Sequence, residues 1–477
     1  MDLEKNNLKV NKKYNVKAIM AVLLFGGFLS LFNETILNVA FAKIMVELNV
    51  TATTVQWLAT GYMLIVGILV PVTAFLIHRF TTKQLFLSAM TLFLVGTIFA
   101  VVSTSFTGLL ISRMIQATGT GMLVPIMMNT ALVLSPPDKR GLNMGLCVCA
   151  ILIGPALGPI ASGTLLQFFH VQSLFIMLIP LAIISIISGA LFLENASIIT
   201  KPKVDYVSIV LSSIGFAGII FGISSINDSH ANKLVIIISF VAGIIGLFFF
   251  SKRQLSLKQP MLEIRAFQRP IFTLCIILIV ITQMVQFSMN MLLPLLLQNG
   301  LNYSPISAAV VLLPAILISG ITTPFAGKIF DRMGGKKLIA VGFIITCIFM
   351  WLLSIIGEST SMLTISVLYC FVGFGVALII PATQTTALNQ LSSKHQADGI
   401  AITSTSMQIA AAIGSTLFIG LMTTGQNNFL NNSSNISSHQ IKVHALYSGF
   451  RYSMTAAVII IAIGFILSLF LKNENKK

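Results

Sequence analysis

Residues 305–356 read PISAAVVLLPAILISGITTPFAGKIFDRMGGKKLIAVGFIITCIFMWLLSII: two apolar runs, 305–326 and 338–356, joined by a basic turn from Gly327 to Lys337. Each run has about the 20 residues a helix needs to cross a hydrocarbon core about 30 Å thick. The short polar turn between them belongs at a membrane surface. Working outward from this hairpin, the same pattern fills the chain. Of its 477 residues, 56% are hydrophobic and 9% charged, with a mean hydropathy of +0.95, against about 25% charged in a soluble domain. No water-soluble surface can be built from that composition, so an all-α membrane protein is expected. The formal charge of +16 needs no nucleic acid to account for it, because basic residues collect on cytoplasmic loops.

Apolar windows bounded by polar clusters number fourteen: 18–42, 53–77, 84–103, 108–133, 142–168, 173–193, 206–226, 233–250, 271–297, 305–326, 338–356, 361–387, 399–423 and 451–471. With both termini inside, 24 of the 29 Lys and Arg are cytoplasmic, four are outside (Lys43, Lys233, Lys442, Arg451) and Arg113 lies within a span. The even count and this bias support each other. Residues 425–449 are expected to form one long polar outer loop. The first run follows five lysines and holds Ala40-Phe41-Ala42, which resembles a cleavage site, but it is too long for a signal segment and carries Glu34, so a retained span is expected. The cysteines at 147, 149, 275, 347 and 370 all fall in apolar stretches and read as core residues.

A weak repeat relates the halves at an offset of 253: Pro71, Ala74, Arg79 and Lys83 match Pro324, Gly327, Arg332 and Lys336. A second trace pairs Gly119 and Pro125 with Gly375 and Pro381. Such parallel repeats are typical of transporters built from two similar bundles. The expected division is a cytoplasmic tail (1–17), a six-helix bundle (18–193), two additional helices (206–250), a second six-helix bundle (271–471) and a tail (472–477).

Three further motifs carry chemistry. The turn Gly327-Lys-Ile-Phe-Asp331-Arg332-Met-Gly334-Gly-Lys336-Lys337 has a Gly-Asp-Arg-Gly spacing that a merely solvated basic loop would not need. Span four carries Arg113-Met-Ile-Gln116-Ala-Thr-Gly119-Thr-Gly121, and an arginine within the bilayer costs about 2.5–3.5 kcal/mol on insertion scales unless it finds a partner or a wet cavity. Span five gives Gly154-Pro155-Ala-Leu-Gly158-Pro159, small residues for close approach and prolines that open the backbone ladder. Together with Asn33-Glu34-Thr35-Ile36-Leu37-Asn38-Val39-Ala40 in span one, these resemble the major facilitator superfamily, and within it the fourteen-span drug:proton antiporters of the EmrB/QacA-like group and its lincomycin-exporter branch.

The resemblance implies a major facilitator fold, two six-helix bundles plus two inserted central helices. It also implies gating by Gly327, Asp331, Arg332, Gly334 and Lys336 and by Gly154, Pro155, Gly158 and Pro159. The N-terminal copy of the turn has His78 where the family has Asp and Thr81 where it has Gly. His78 is therefore expected as a headgroup-level polar residue, with the latch kept by the C-terminal copy. The family's acidic position in span one falls on Asn33, the carboxylate being displaced by one residue to Glu34.

Of thirteen acids, twelve fall on loops or span ends and only Glu34 lies deep in an apolar window. Ser30, Glu34 and Asn38 share a helix face. Glu34 and Arg113 are the expected proton-coupling pair, the alternative being a permanent ion pair that merely holds spans one and four together. Candidate substrate contacts are Asn33, Asn38, Gln56, Trp57, Tyr62, Gln116 and Gln408, with Gln283, Gln286 and Asn290 on a methionine-rich face that plain packing would equally produce.

The expected function is proton-coupled efflux of amphipathic, often cationic, toxic compounds by alternating access in a bacterial cytoplasmic membrane. A dedicated exporter of one metabolite, lipid or peptide is the alternative. Expected partners are small-molecule drugs, protons and the lipid bilayer, with no nucleic acid, for a monomer. No cofactor or metal is expected beyond the proton gradient. Without HExxH, GxSxG or Walker A patterns, enzyme and ATP-driven readings are disfavoured.

Overall fold

A computed structural model describes residues 15–37, 39–195, 199, 205–225, 232–257, 259–300, 305–357, 360–431 and 439–471. Among them, fourteen helices are long and apolar enough to cross a membrane, the number the sequence predicts. The N-terminal bundle comprises α1 (Val16–Ile36), a short α2 (Phe41–Glu47), α3 (Ala52–Arg79), α4 (Thr82–Val102), α5 (Phe106–Leu134), α6 (Arg140–Phe168) and α7 (Gln172–Phe192). After the pair α8 (Tyr206–Ser224) and α9 (Lys233–Ser256), the C-terminal bundle comprises α10 (Pro270–Asn299), α11 (Pro305–Met333), α12 (Gly335–Ser354), α13 (Met362–Asn389), α14 (Gln396–Asn431) and α15 (His439–Ser468). Hydroxyl residues set the helix starts: Thr51, Thr81, Ser105 and Ser361 each accept a backbone N–H three residues on.

Each bundle is centred on its own apolar cluster, with Ala74 and Phe75 of α3 reaching into the C-terminal one and Leu388, Ala397 and Ile400 into the N-terminal one, and large side chains such as Ile237, Ile244 and Phe248 of α9 point outward. Lipid is as apolar as leucine, so helix pairing here rests on close packing through small residues. On α8 and α9, Gly218 and Gly243 bring the two backbones together with no room for a Cβ. The pair touches both bundles: Trp57 of α3 stacks on Phe221 at 5.8 Å, and Thr416 of α14 donates to the Ile223 carbonyl at 3.0 Å.

The foot of this pair is an ion pair. Arg253 donates from Nε to Asp205 Oδ2 (2.8 Å) and from Nη2 to Oδ1 (3.0 Å), while Asp205 caps α8 through Ser208. These bonds, the Arg253 ones foremost, hold the Asp205 carboxyl down to about 2 from its ordinary 3.8. A depressed carboxylate stabilises the fold above its unfolded pKa and loses that contribution only as pH falls through its folded value. Asp205→Asn should therefore lower the thermal unfolding midpoint by the same amount at every pH from about 5 to 8. A deficit that grew toward pH 8 in paired melts would contradict this assignment.

Two boundaries differ from expectation. The first window runs to residue 42, but α1 ends at Ile36 and α2 is a separate short helix. Lys43 of α2 donates to the Phe169 carbonyl at the end of α6 (2.8 Å), a cation on a helix C-terminus, which requires the chain to turn away from the α1 axis. Residues 425–449, expected as a loop, are helical as far as Asn431 and again from His439. Gly425 and Gly449 pack α14 against α15 there, so a polar composition does not end the helices. The two tails, except residues 15–17, lie outside the described residues.

Candidate functional site

Arg113 on α5 organises the N-terminal site. It is 1% exposed, so its charge needs partners. Its Nη1 donates to Asn33 Oδ1 (3.1 Å), to the Asn33 carbonyl (3.2 Å) and to Gln116 Oε1 (3.0 Å). The guanidinium lies over the Tyr62 ring, 4.1 Å from its centre, a cation–π contact. Asn33 Nδ2 donates to the Tyr62 hydroxyl (3.2 Å), which meets Thr120 Oγ1 at 2.5 Å, and Gln116 donates to Thr97 (2.9 Å). Ser30 closes the network on the Thr120 carbonyl (3.1 Å). Four helices, α1, α3, α4 and α5, are thus joined by neutral groups around one buried cation.

Glu34 is outside this web. It is partly buried in the last turn of α1, nearer the outer end than its place in the apolar window suggested. Among the described residues no Lys or Arg nitrogen forms an ion pair with it, although it feels the charge of Arg113. The permanent Glu34–Arg113 pair weighed above is absent. The physical reason is the one-residue displacement: successive helical side chains diverge by about 100°, so Asn33 meets the guanidinium directly and Glu34 lies near it without a salt bridge.

The other predicted contacts divide. Asn33, Tyr62 and Gln116 come together around Arg113. Gln56 is exposed, and Trp57 packs against α8 instead of sharing the Arg113 site. Asn38 lies outside the described residues. Gln408 is partly buried on α14. On α10, Gln283 and Gln286 each keep a buried carbonyl oxygen without a hydrogen bond, whereas Asn290 accepts from the Tyr369 hydroxyl of α13 at 3.0 Å. Asn290, Met291, Pro294, Leu295, Gln298 and Ile419 line a recess of about 270 Å³. The sequence reading missed Thr97 and Thr120; for Thr120 a signal existed, since it follows Arg113 by seven residues on the same face of α5.

The bundles meet at the end that charge assigns to the cytoplasm. Asp331, near the end of α11, accepts from the Gly141 N–H (2.7 Å) and the Leu142 N–H (2.9 Å) in the first turn of α6, a carboxylate on a helix N-terminus. Gly327 and Gly141 are in backbone contact, as are Gly145 and Thr323. Gly334 takes φ +79° between α11 and α12, a conformation that favours glycine; exposed Arg332 and partly buried Lys336 flank it. In the N-terminal copy, Thr81 instead caps α4 in a reciprocal capping box with Gln84. Farther along α6, a Cβ on Gly154 would meet the Phe28 carbonyl of α1 at 2.9 Å, and one on Gly158 would meet Thr35, with Pro155 and Pro159 inside the helix. Gly327→Val would push α11 off α6. It should abolish efflux while leaving membrane insertion intact, as read by efflux rate against surface-labelled protein; normal transport would show that this contact is dispensable.

His78, at the end of α3, has a partner in the other bundle: its Nε2 is 3.6 Å from Asp398 Oδ1 in the first turn of α14, and the Asp398 side chain is 6% exposed.

The sequence profile described as Major Facilitator Superfamily matches residues 23–415. The lincomycin resistance protein LmrB of Bacillus subtilis (strain 168) is 39% identical over 466 residues, 97% of each chain. The protein of the same name in Listeria monocytogenes serovar 1/2a (strain ATCC BAA-679 / EGD-e) is 38% identical, covering 96% of this chain and 97% of that one. The crystal structure of the human organic anion transporter MFSD10 (TETRAN) shares the fold, with a TM-score of 0.63 at 11% identity, over 96% of this chain and 100% of that one.

Proposed function

The chain belongs to the Major Facilitator Superfamily, and from that premise we propose that it exports amphipathic, often cationic, toxic compounds from the cytoplasm in exchange for protons, by alternating access between its two bundles. It is a multi-pass membrane transporter, not an enzyme. The names of the relatives, lincomycin resistance proteins, support a drug as the cargo.

The observation that carries the reading is the separation of Glu34 from Arg113. A carboxylate locked in a salt bridge would hold its charge through the cycle, whereas one near a cation whose Nη1 is held by Asn33 and Gln116 and whose plane lies over Tyr62 can exchange a proton. With the cytoplasmic ends of α6 and α11 in contact, Glu34 in the last turn of α1 would exchange its proton with the outer side in this state. Proton loading there and release inside, linked to drug binding, is the exchange an antiporter needs.

Inverted vesicles supply the test. A panel of chemically mixed amphipaths should be taken up when a proton gradient is imposed, and uptake should collapse when the gradient is dissipated. Uptake of a single panel member would replace multidrug export by a dedicated exporter, and gradient-independent uptake would remove the proton.

A further inference from the structure

The cytoplasmic closure has two related contacts with different chemistry. His78 stands 253 residues before Asp331, the offset of the internal repeat. Asp331 meets the N-terminus of α6, and His78 meets that of α14, so the two contacts relate the bundles reciprocally. In the first the anion comes from the turn; in the second a base does, and the anion, Asp398, is on the helix. A second imidazole completes the arrangement: His395, in the 3-10 turn Ser393–His395, has Nδ1 3.4 Å from Asp398 Oδ2. One buried carboxylate is thus held between two histidines, one from each bundle, on the surface along which the bundles must part.

We propose that His78, Asp398 and His395 form a latch whose strength follows the cytoplasmic pH, a proposal that rests on the alternating-access reading above. With the His78 imidazole protonated, an ion pair joins α3 to α14 and the cytoplasmic side stays shut. When it is neutral, only a weak polar contact remains and the bundles separate more readily. The titratable and charged groups around it are Arg79, next to His78 on α3; Lys394, next to His395; and Glu263, ahead of α10, within electrostatic reach of His395. Arg140 of α6 reaches Asn389 at the end of α13 (3.2 Å); the contact that α10 makes at Gly399 is the uncharged Phe272. Histidine is the side chain whose ordinary pKa, about 6.5, lies near cytoplasmic pH. Proton entry by antiport acidifies the cytoplasm, so acidification would close the gate through which further exchange proceeds.

The test measures distance and uses neither drug nor gradient, so failure of the export reading and failure of the latch are separately visible. Spin labels are placed at Lys139 and Lys337, exposed residues on opposite bundles, in a chain whose five native cysteines are replaced, with Glu34 native and as Glu34→Gln. In nanodiscs, the ratio of closed to open populations should fall about tenfold as pH rises from about 6 to about 8. His78→Gln should flatten this response, and His78→Lys, with a fixed charge, should keep the closed form dominant at both pH values. Asp398→Asn should flatten it as well. An unchanged pH response in His78→Gln, or a wild-type response in His78→Lys, would overturn the proposal.

Discussion

Glu34→Gln is expected to abolish gradient-driven efflux and to leave the protein folded and in the membrane. The amide keeps the size and hydrogen-bonding reach of the carboxyl but cannot titrate, and among the described residues no ion pair is broken by the change, because Arg113 is held by Asn33, Gln116 and Tyr62. Glu34→Asp, with the acid on a shorter stem, should retain partial efflux with a shifted pH optimum. The Glu34→Gln/Arg113→Gln double variant separates coupling from pairing. Were the two residues simply partners, removing both would restore transport by removing the unpaired buried charge. With Arg113 Nη1 held by neutral groups, the double variant should stay inactive, and its Arg113→Gln component also leaves the acceptors on Asn33 and Gln116 without their donor. Efflux at matched expression decides between these outcomes.

The second large effect is expected at Asp331. Its two carboxylate oxygens each take one backbone N–H at the start of α6, and hydrogen bonds to a charged group contribute about 1.5–3 kcal/mol each. Asp331→Asn removes the charge and leaves only one carbonyl acceptor. The closed cytoplasmic state should lose about 1.4 kcal/mol or more, a shift of at least about tenfold toward the open form, and transport should fall accordingly. Cysteine labelling at Lys139 from the cytoplasmic side, together with efflux, reads both quantities. Unchanged labelling with lost efflux would move Asp331 from gating to another role.

How far the sequence carries can be judged from particular residues. The fourteen spans were legible because bilayer thickness fixes the length of an apolar run, and the Gly327–Lys337 turn was legible because its spacing exceeds what a basic loop needs. Arg113 was legible as a buried cation, yet its partners were not. Whether Asn33 or Glu34 faces it depends on the rotation of α1 against α5, and a polar pair one residue apart fits either choice. His78 and Asp398 are 320 positions apart on different bundles, so reading each copy of the repeat in its own loop hides their meeting. Trp57 looked like a cavity aromatic, but α8, an element outside the twelve-helix repeat, supplies its neighbour. In each case the local pattern identified the group and the packing of helices distant in sequence chose its partner.

If Glu34 exchanges its proton when drug binds, purified protein in weakly buffered detergent solution should release protons on addition of a transported drug. Wild type should release protons in proportion to drug bound, and Glu34→Gln should bind drug with no release. Substrate-linked release that persists in Glu34→Gln would rule out Glu34 as the coupling site and assign coupling to another acid, with Asp398 the first to examine.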